Sequence, residues 1–238
     1  MRAIGFSTGA IAKSDYLAAL ASLRQYRVSA VELSALRLSE LHPLAKALPD
    51  MELSQFEVIS FHAPSRFEPH EERLVVSVLQ EVVALEIPIV IHPDVIYSFE
   101  RWAIFGDWLR IENMDKRKPV GRTAGELSEF FTRFPEARLC FDIGHARQVD
   151  PTMAEARRIL EKYRDRLAEV HLSEVNSSSR HDPLSAYAIE AFQPVAGLIP
   201  ENIPVILETL IDQGQSDVPT GLAHARQALQ SKRVLASV

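Results

Sequence analysis

The chain has 238 residues, of which 47% are hydrophobic and 24% are charged, and its formal net charge is −6. This length and composition suit one domain over residues 1–238, and the acidic balance disfavours a nucleic-acid binder without excluding nucleic acid as a partner. No segment predicts a signal peptide or a membrane span, and the single cysteine, Cys140, has no internal disulfide partner. A cytoplasmic protein is therefore expected.

Apolar runs alternate with segments of helical periodicity along the sequence. The first predicted strand covers residues 3–8, and the later apolar runs end, in chain order, at Glu32, His62, His92, Glu112, Asp142, His171 and Glu208. One predicted helix follows each of these eight strands, over residues 16–27, 38–48, 71–85, 97–105, 125–134, 153–163, 183–199 and 220–230. About eight strand–helix units in series predict a single (β/α)₈ barrel. An open doubly wound sheet is the alternative, but no glycine-rich phosphate motif follows the first strand.

The residue at the end of each later apolar run is a carboxylate or an imidazole. An apolar run bounded by polar residues is typical of a buried parallel strand, and the carboxyl ends of such strands meet at one face of a barrel. The sequence therefore predicts a ring of polar side chains at that rim.

The period of two along a strand predicts a second, deeper layer of inward-facing residues. This layer contains Ala30, Ser60, Val90, Arg110, Cys140, Glu169 and Ile206. Arg110 and Glu169 are expected to pair inside the barrel, unless one of them points outward into solvent. Cys140 is expected to be a small buried core residue.

Four consecutive predicted strands end in possible metal ligands, namely Glu112, Asp142, His171 and Glu208. Carboxylates with an imidazole suit a divalent ion such as Mn²⁺, Mg²⁺, Co²⁺ or Zn²⁺, with coordination positions left for substrate or water. The alternative is an ordinary polar rim. No organic cofactor is needed for chemistry at such an ion.

The motifs IENM, FDIGH, VHLSE and ILET, in this order, resemble the xylose isomerase-like barrel superfamily. That superfamily includes sugar and sugar-phosphate isomerases and epimerases, inosose dehydratases and the endonuclease IV group. In its epimerase branch, the resemblance implies that Glu112, Asp142, His171 and Glu208 bind the metal. It also implies that Glu112 and Glu208 shuttle protons on opposite faces of an enediolate-like intermediate, and that His145 contacts the substrate.

Further histidines resemble the endonuclease IV group, in which the site holds three zinc ions. His62 in SFHAPS and His92 in IHPDV resemble two additional ligands, and the resemblance assigns His145 and His181 to a third zinc. Substrate binding by His62 and His92 is the alternative, because similar motifs occur in sugar isomerase-like members.

The chain departs from the endonuclease IV pattern after the seventh predicted strand. The pattern there is Asp-Arg-His, whereas this chain has Ser179, Arg180 and His181. The missing aspartate puts the third zinc in doubt, and replacement by Asp182 is left open.

Other candidates belong to substrate binding. The segment NMDKRKPVGR places Lys116, Arg117, Lys118 and Arg122 directly after Glu112. This basic loop, with Lys116 as its candidate, either binds a substrate phosphate or is a solvated charge run. Arg180, in the segment SSSRHDP, is a further candidate for substrate binding. Glu32 corresponds to a substrate-facing rim residue in the superfamily, with a structural role as the alternative.

The leading hypothesis is a divalent-metal-dependent isomerase or epimerase that acts on a small sugar or sugar phosphate by proton transfer. The first alternative is a zinc-dependent phosphodiesterase of the endonuclease IV type with two or three metal ions. The second is a barrel that binds metal and ligand without turnover. A membrane partner is not expected, and a homodimer is left open.

Overall fold

Eight parallel strands close into a barrel in the computed structural model, which describes residues 2–211 and 217–230. The barrel strands are β1 (Ile4–Ser7), β2 (Ala30–Ser34), β3 (Val58–His62), β4 (Ile89–Ile91), β5 (Leu109–Glu112), β6 (Arg138–Asp142), β7 (Leu167–Leu172) and β10 (Val205–Leu207). Their order around the barrel is β1-β10-β7-β6-β5-β4-β3-β2, and β1 also pairs with β2. The predicted (β/α)₈ barrel is confirmed.

Helices follow the strands and cover the outside of the barrel. They are α1 (Thr8–Ala12), α2 (Tyr16–Leu23), α3 (Leu38–Ala47), α4 (Glu72–Val83), α5 (Phe99–Trp102), α6 (Leu127–Arg133), α7 (Ile143–Val149), α8 (Ala154–Lys162), α9 (Ala186–Ala196) and α10 (Val218–Ala228). Each of the eight predicted helices overlaps one of these, although the segment predicted over 97–105 is only one short helix followed by a 3₁₀ stretch. Among residues 2–211 and 217–230, no helix has both the length and the apolar character that a membrane crossing requires.

Three elements near the rim escape the pattern of the sequence. The helices α1 and α7 begin directly where β1 and β6 end, and with five and seven residues each is shorter than the roughly 11–18 residues over which helical periodicity is recognised. A two-stranded antiparallel hairpin, β8 (Glu174–Val175) with β9 (His181–Asp182), lies between β7 and α9. This hairpin brings His181 back towards the barrel rim.

The deeper layer contains the expected ion pair. Arg110 of β5 donates to Glu169 of β7, and Ser60 Oγ of β3 donates to Glu169 Oε1 over 3.0 Å. Glu169 is fully buried, so the guanidinium and the hydroxyl replace the water that its carboxylate loses on folding. The predicted pairing inside the barrel is confirmed, and Cys140 is fully buried as expected.

Strand boundaries correct one part of the predicted rim. Glu112, Asp142 and His62 end their strands, His92 and Glu208 follow theirs directly, and His171 is the penultimate residue of β7. Glu32, however, lies in the middle of β2, because Leu33 and Ser34 continue the strand. The prediction that Glu32 stands at the rim is wrong: it is level with Ser60, and Ser34 takes the place level with His62.

Candidate metal centre

Four side chains from β5, β6, β7 and the end of β10 converge at the carboxyl end of the barrel. They form what we call the four-residue set: Glu112, Asp142, His171 and Glu208. One ligand atom from each lies within 4.8 Å of the others. The strands β5, β6, β7 and β10 are consecutive in the barrel wall, so their carboxyl ends lie at one part of the rim.

Each member of the set also presents one buried polar atom that has no hydrogen-bond partner within the described residues. These atoms are Glu112 Oε1, Asp142 Oδ2, His171 Nδ1 and Glu208 Oε2. Buried polar atoms are otherwise almost always paired, because an unmade hydrogen bond costs about 1–3 kcal/mol. Four such atoms facing one point therefore indicate a ligand.

The spacing of these atoms fits a divalent cation. His171 Nδ1 lies 3.6 Å from Glu112 Oε1 and 3.5 Å from Glu208 Oε2. Two ligands about 2.1 Å from an ion at a tetrahedral angle are roughly 3.4 Å apart. The donor set of three carboxylates and one imidazole suits Mn²⁺, Co²⁺ or Zn²⁺, and Mg²⁺ through its oxygens.

Without an ion, three side chains of the four-residue set have pKa values shifted from their usual ones. Burial raises the pKa of Glu208 to about 8, whereas His92 and His171 hold the pKa of Glu112 well below its usual value in spite of its burial. Burial opposes a charge on His171, but the neighbouring Cys140, Glu32 and Glu208 hold its pKa well above the usual value. The metal-free set therefore holds protons at neutral pH that an incoming cation has to displace.

The second oxygen of Glu112 faces a pair of histidines. His62 Nε2 lies 3.1 Å and His92 Nε2 lies 3.3 Å from Glu112 Oε2. His62 Nδ1 is 2.7 Å from the carbonyl of Ala63, and donation to that oxygen leaves Nε2 free to bind an ion. Glu112, His62 and His92 thus form a second candidate group, which shares Glu112 with the first.

A third group contains Asp142, His145 and His181. His145 Nδ1 lies 3.0 Å from the carbonyl of Asn113, and His181 Nδ1 lies 2.9 Å from Ser173 Oγ. Asp182 is outside this group, because its carboxylate accepts from Asn176 Nδ2 over 2.8 Å. In this position Asp142, rather than Asp182, supplies the carboxylate beside the two histidines.

The groups lie at a cavity of about 470 Å³. His62, His92, Glu112, His145, His181 and Glu208 line it. The size falls within the roughly 300–1,000 Å³ that is usual for small-molecule sites.

Basic side chains reach the same cavity, but only some of them are the predicted ones. Arg117 and Lys118 line the cavity, and so does Lys13, which the sequence did not single out. Lys118 Nζ is 2.8 Å from Asp94. Lys116 and Arg180 are exposed and lie outside the cavity lining.

Asn113, directly after Glu112, was not singled out as a site residue although it stands in the IENM motif. Its side chain donates to the carbonyl of Asp142 and accepts from the Asp142 amide, both over 2.8 Å. The backbone pairing between β5 and β6 ends where Glu112 lies opposite Cys140. Beyond that point, the side-chain amide of Asn113 makes the hydrogen bonds to β6 that backbone groups would otherwise make. Asn113 therefore fixes two ligand-bearing strand ends relative to each other.

No protein-family model and no curated protein sequence matches the chain. Among solved structures, a protein from Anabaena variabilis, provisionally named a sugar phosphate isomerase/epimerase, is 16% identical with a TM-score of 0.55, over 98% of this chain and 89% of that one. A xylose isomerase-like TIM barrel protein from Mycobacterium smegmatis, solved with magnesium, is 12% identical with a TM-score of 0.56, over 91% and 89% of the two chains. A thermostable aldo-keto reductase, solved with the inhibitor epalrestat, is 11% identical with a TM-score of 0.52, over 95% and 90%. The likeness shows the (β/α)₈ barrel fold of this chain, and the named proteins show that barrels of this fold carry different chemistries.

Proposed function

We propose that this protein is a divalent-metal-dependent isomerase or epimerase of a small sugar or sugar phosphate. The observation that carries the proposal is the four-residue set, whose unpaired atoms converge beside a small cavity. The named activity of the Anabaena protein and the magnesium bound to the Mycobacterium protein agree with it but belong to those proteins.

The two glutamates of the set are suited to moving a proton. Glu112 is ionised and almost fully buried, whereas Glu208 has a raised pKa and keeps some exposure, with 16% of its side chain accessible. A pair of carboxyl groups whose environments separate their pKa values provides one base and one acid for proton transfer. A cation in the set would supply Lewis-acid stabilisation of the negative charge that develops on a substrate oxygen.

The cavity offers contacts that suit a polyhydroxylated substrate. Ser7, Ser34 and Ser65 are among its lining residues, and serine hydroxyls can exchange hydrogen bonds with sugar hydroxyls. Arg117 and Lys118 add positive charge that a phosphate would need, and His145 lies beside Glu112 as a further substrate contact.

The test is proton exchange at carbon. The protein loaded with Mn²⁺, Mg²⁺ or Co²⁺ is incubated in deuterated water with a panel of ketoses and ketose phosphates, and deuterium at the carbon next to the carbonyl is followed by NMR. We expect exchange with at least one member of the panel and its loss in Glu208→Gln. Full deuterium exchange in Glu208→Gln would refute the role of Glu208. If the wild-type protein catalysed no exchange with any member of the panel, the isomerase proposal would be refuted.

A second candidate is a zinc-dependent phosphodiesterase, and the geometry around Glu112 Oε2 favours it. Two imidazole nitrogens lie 3.1 and 3.3 Å from this oxygen, so His62, His92 and Glu112 would hold a second ion. Two ions about 3.5–4 Å apart are the usual arrangement for in-line displacement at phosphorus. The acidic chain weighs against long nucleic-acid substrates.

Metal counting separates the two candidates. Two or three tightly bound zinc ions per chain, together with hydrolysis of bis-p-nitrophenyl phosphate, would favour the phosphodiesterase. One exchangeable ion, together with deuterium exchange into a ketose, would favour the isomerase. His62→Asn is the matched variant, because it should remove the second ion and leave the four-residue set intact.

A further inference from the structure

His171 is held on the side away from the cavity by a carboxylate that is not part of any candidate metal group. Its Nε2 lies 3.1 Å from Glu32 Oε2, and both residues are fully buried. Glu32 stands on β2, which β1 and β10 separate from β7 in the barrel wall, and it lies one layer below the rim. The imidazole therefore lies between Glu32 beneath and the four-residue set above.

The two ring nitrogens of His171 consequently have different tasks. Nδ1 is the unpaired atom that faces Glu112 and Glu208. A neutral imidazole carries only one N–H, so Nδ1 can bind an ion only when the proton is on Nε2. A carboxylate that accepts from Nε2 stabilises that tautomer and makes the ring a stronger ligand.

We propose that Glu32 is a positioning residue for the metal centre: its carboxylate accepts the Nε2–H of His171, fixing the tautomer and ring orientation that direct Nδ1 at the ion. The proposal rests on the metal centre proposed above and gives Glu32 a role other than contact with substrate. It also gives a reason for a fully buried charged residue in the middle of β2.

Neighbouring groups support Glu32 in this task. Glu169 Oε1 is also near His171 Nε2, at 3.4 Å, but Glu169 already accepts from Ser60 and Arg110. Ser34 Oγ is 3.5 Å from Glu32 Oε1 and 2.6 Å from Ser7 Oγ, so hydroxyls of β1 and β2 hold the far side of the carboxylate. Glu32 is thus the carboxylate left to pair with the histidine.

Replacement of Glu32 by glutamine tests the proposal most directly. Glutamine keeps the size of the side chain but removes its charge, and its amide can donate to Nε2 and so favour the Nδ1–H tautomer, which cannot bind metal. Loss of such a supporting carboxylate typically weakens metal affinity by about 10- to 100-fold. We expect Glu32→Gln to bind Co²⁺ more weakly by that factor in competition with a chelator of known affinity, at constant pH.

Glu72→Gln provides the matched control. Glu72 is equally buried and accepts from Tyr97, Ser98, Arg101 and Trp102 on the outer side of the barrel, so its loss affects stability without touching His171. Similar Co²⁺ affinity in Glu32→Gln and wild type would overturn the positioning role while leaving the metal centre in place. Equal loss in both variants would overturn it too, because the effect would then be general destabilisation. If the wild type bound no Co²⁺, both proposals would fail.

A second measurement takes its decisive reading from the wild-type protein. In protein with ¹⁵N-labelled imidazoles and saturating Zn²⁺, long-range ¹H–¹⁵N correlation spectra distinguish the two neutral tautomers, and His171→Asn identifies the signal. We expect His171 to be protonated at Nε2 and metal-bound at Nδ1. Protonation at Nδ1 would overturn the proposal.

Discussion

Lowering the pH is expected to release metal from the four-residue set with a steep and specific dependence. At neutral pH the metal-free set holds one proton on Glu208, whose pKa is about 8, and one more on His171, whose pKa is well above its usual value. Both groups must be deprotonated to bind an ion. The raised values therefore oppose binding at low pH, and affinity increases as the pH rises.

The size of the effect follows from the number of protons. Below pH 8, each bound ion displaces about two protons, so the apparent association constant should change by roughly 100-fold per pH unit. Above pH 8, Glu208 is already ionised and contributes no displaced proton. The slope of log affinity against pH should then fall by about one.

A chelator competition with Co²⁺ between pH 6 and 9 measures this slope, once the proton affinity of the chelator is taken into account. Glu208→Gln should lower the slope below pH 8 by about one, because the proton on residue 208 no longer has to be displaced. Glu72→Gln should leave the slope unchanged. A wild-type slope near zero between pH 6 and 7, or an unaltered slope in Glu208→Gln, would refute the reasoning.

Two further predictions concern the support of the site. Arg110→Met should lower the free energy of unfolding in urea by about 3–5 kcal/mol, because Glu169 is left charged and buried without its partner. Adding Glu169→Met should recover part of this loss, and a double variant less stable than Arg110→Met alone would contradict the reasoning. Asn113→Ala should cost about 2–4 kcal/mol, because the Asp142 amide and carbonyl lose their partners in a buried position; a loss below about 0.5 kcal/mol would contradict the bridging role.

Most of the architecture could be predicted from the sequence because a parallel barrel repeats one simple pattern. Fully buried strands such as β3 and β6 appear as apolar runs, and the amphipathic helices between them have their own period. The same regularity explains the correct pairing of Arg110 with Glu169, because it follows from the alternation of side chains along a strand.

Errors arose where local pattern and three-dimensional position differ. The apolar run before Glu32 was predicted to end at this carboxylate, because a charged residue normally marks a strand boundary. In the structure the strand continues to Ser34, and Glu32 can be buried because His171 is its hydrogen-bond partner. Likewise, which basic side chains of the loop after Glu112 reach the cavity depends on the loop's conformation, and a loop has no sequence periodicity from which this could be predicted. Lys13 was missed for the same reason: it follows α1, a helix too short to be recognised.

The seam of the barrel gives the four-residue set an unusual dependence on the whole chain. Glu208 directly follows β10, and β10 is paired with β1 at Ile4–Val205, Gly5–Ile206 and Phe6–Leu207 on one side and with β7 on the other. The first strand of the chain thus helps to hold the ligand that comes last in sequence. A bound ion would tie the end of β10 to β5, β6 and β7 and would stabilise the barrel by mass action. Local opening of β10, detectable as amide hydrogen exchange in that strand, should therefore become slower as the ion is titrated in.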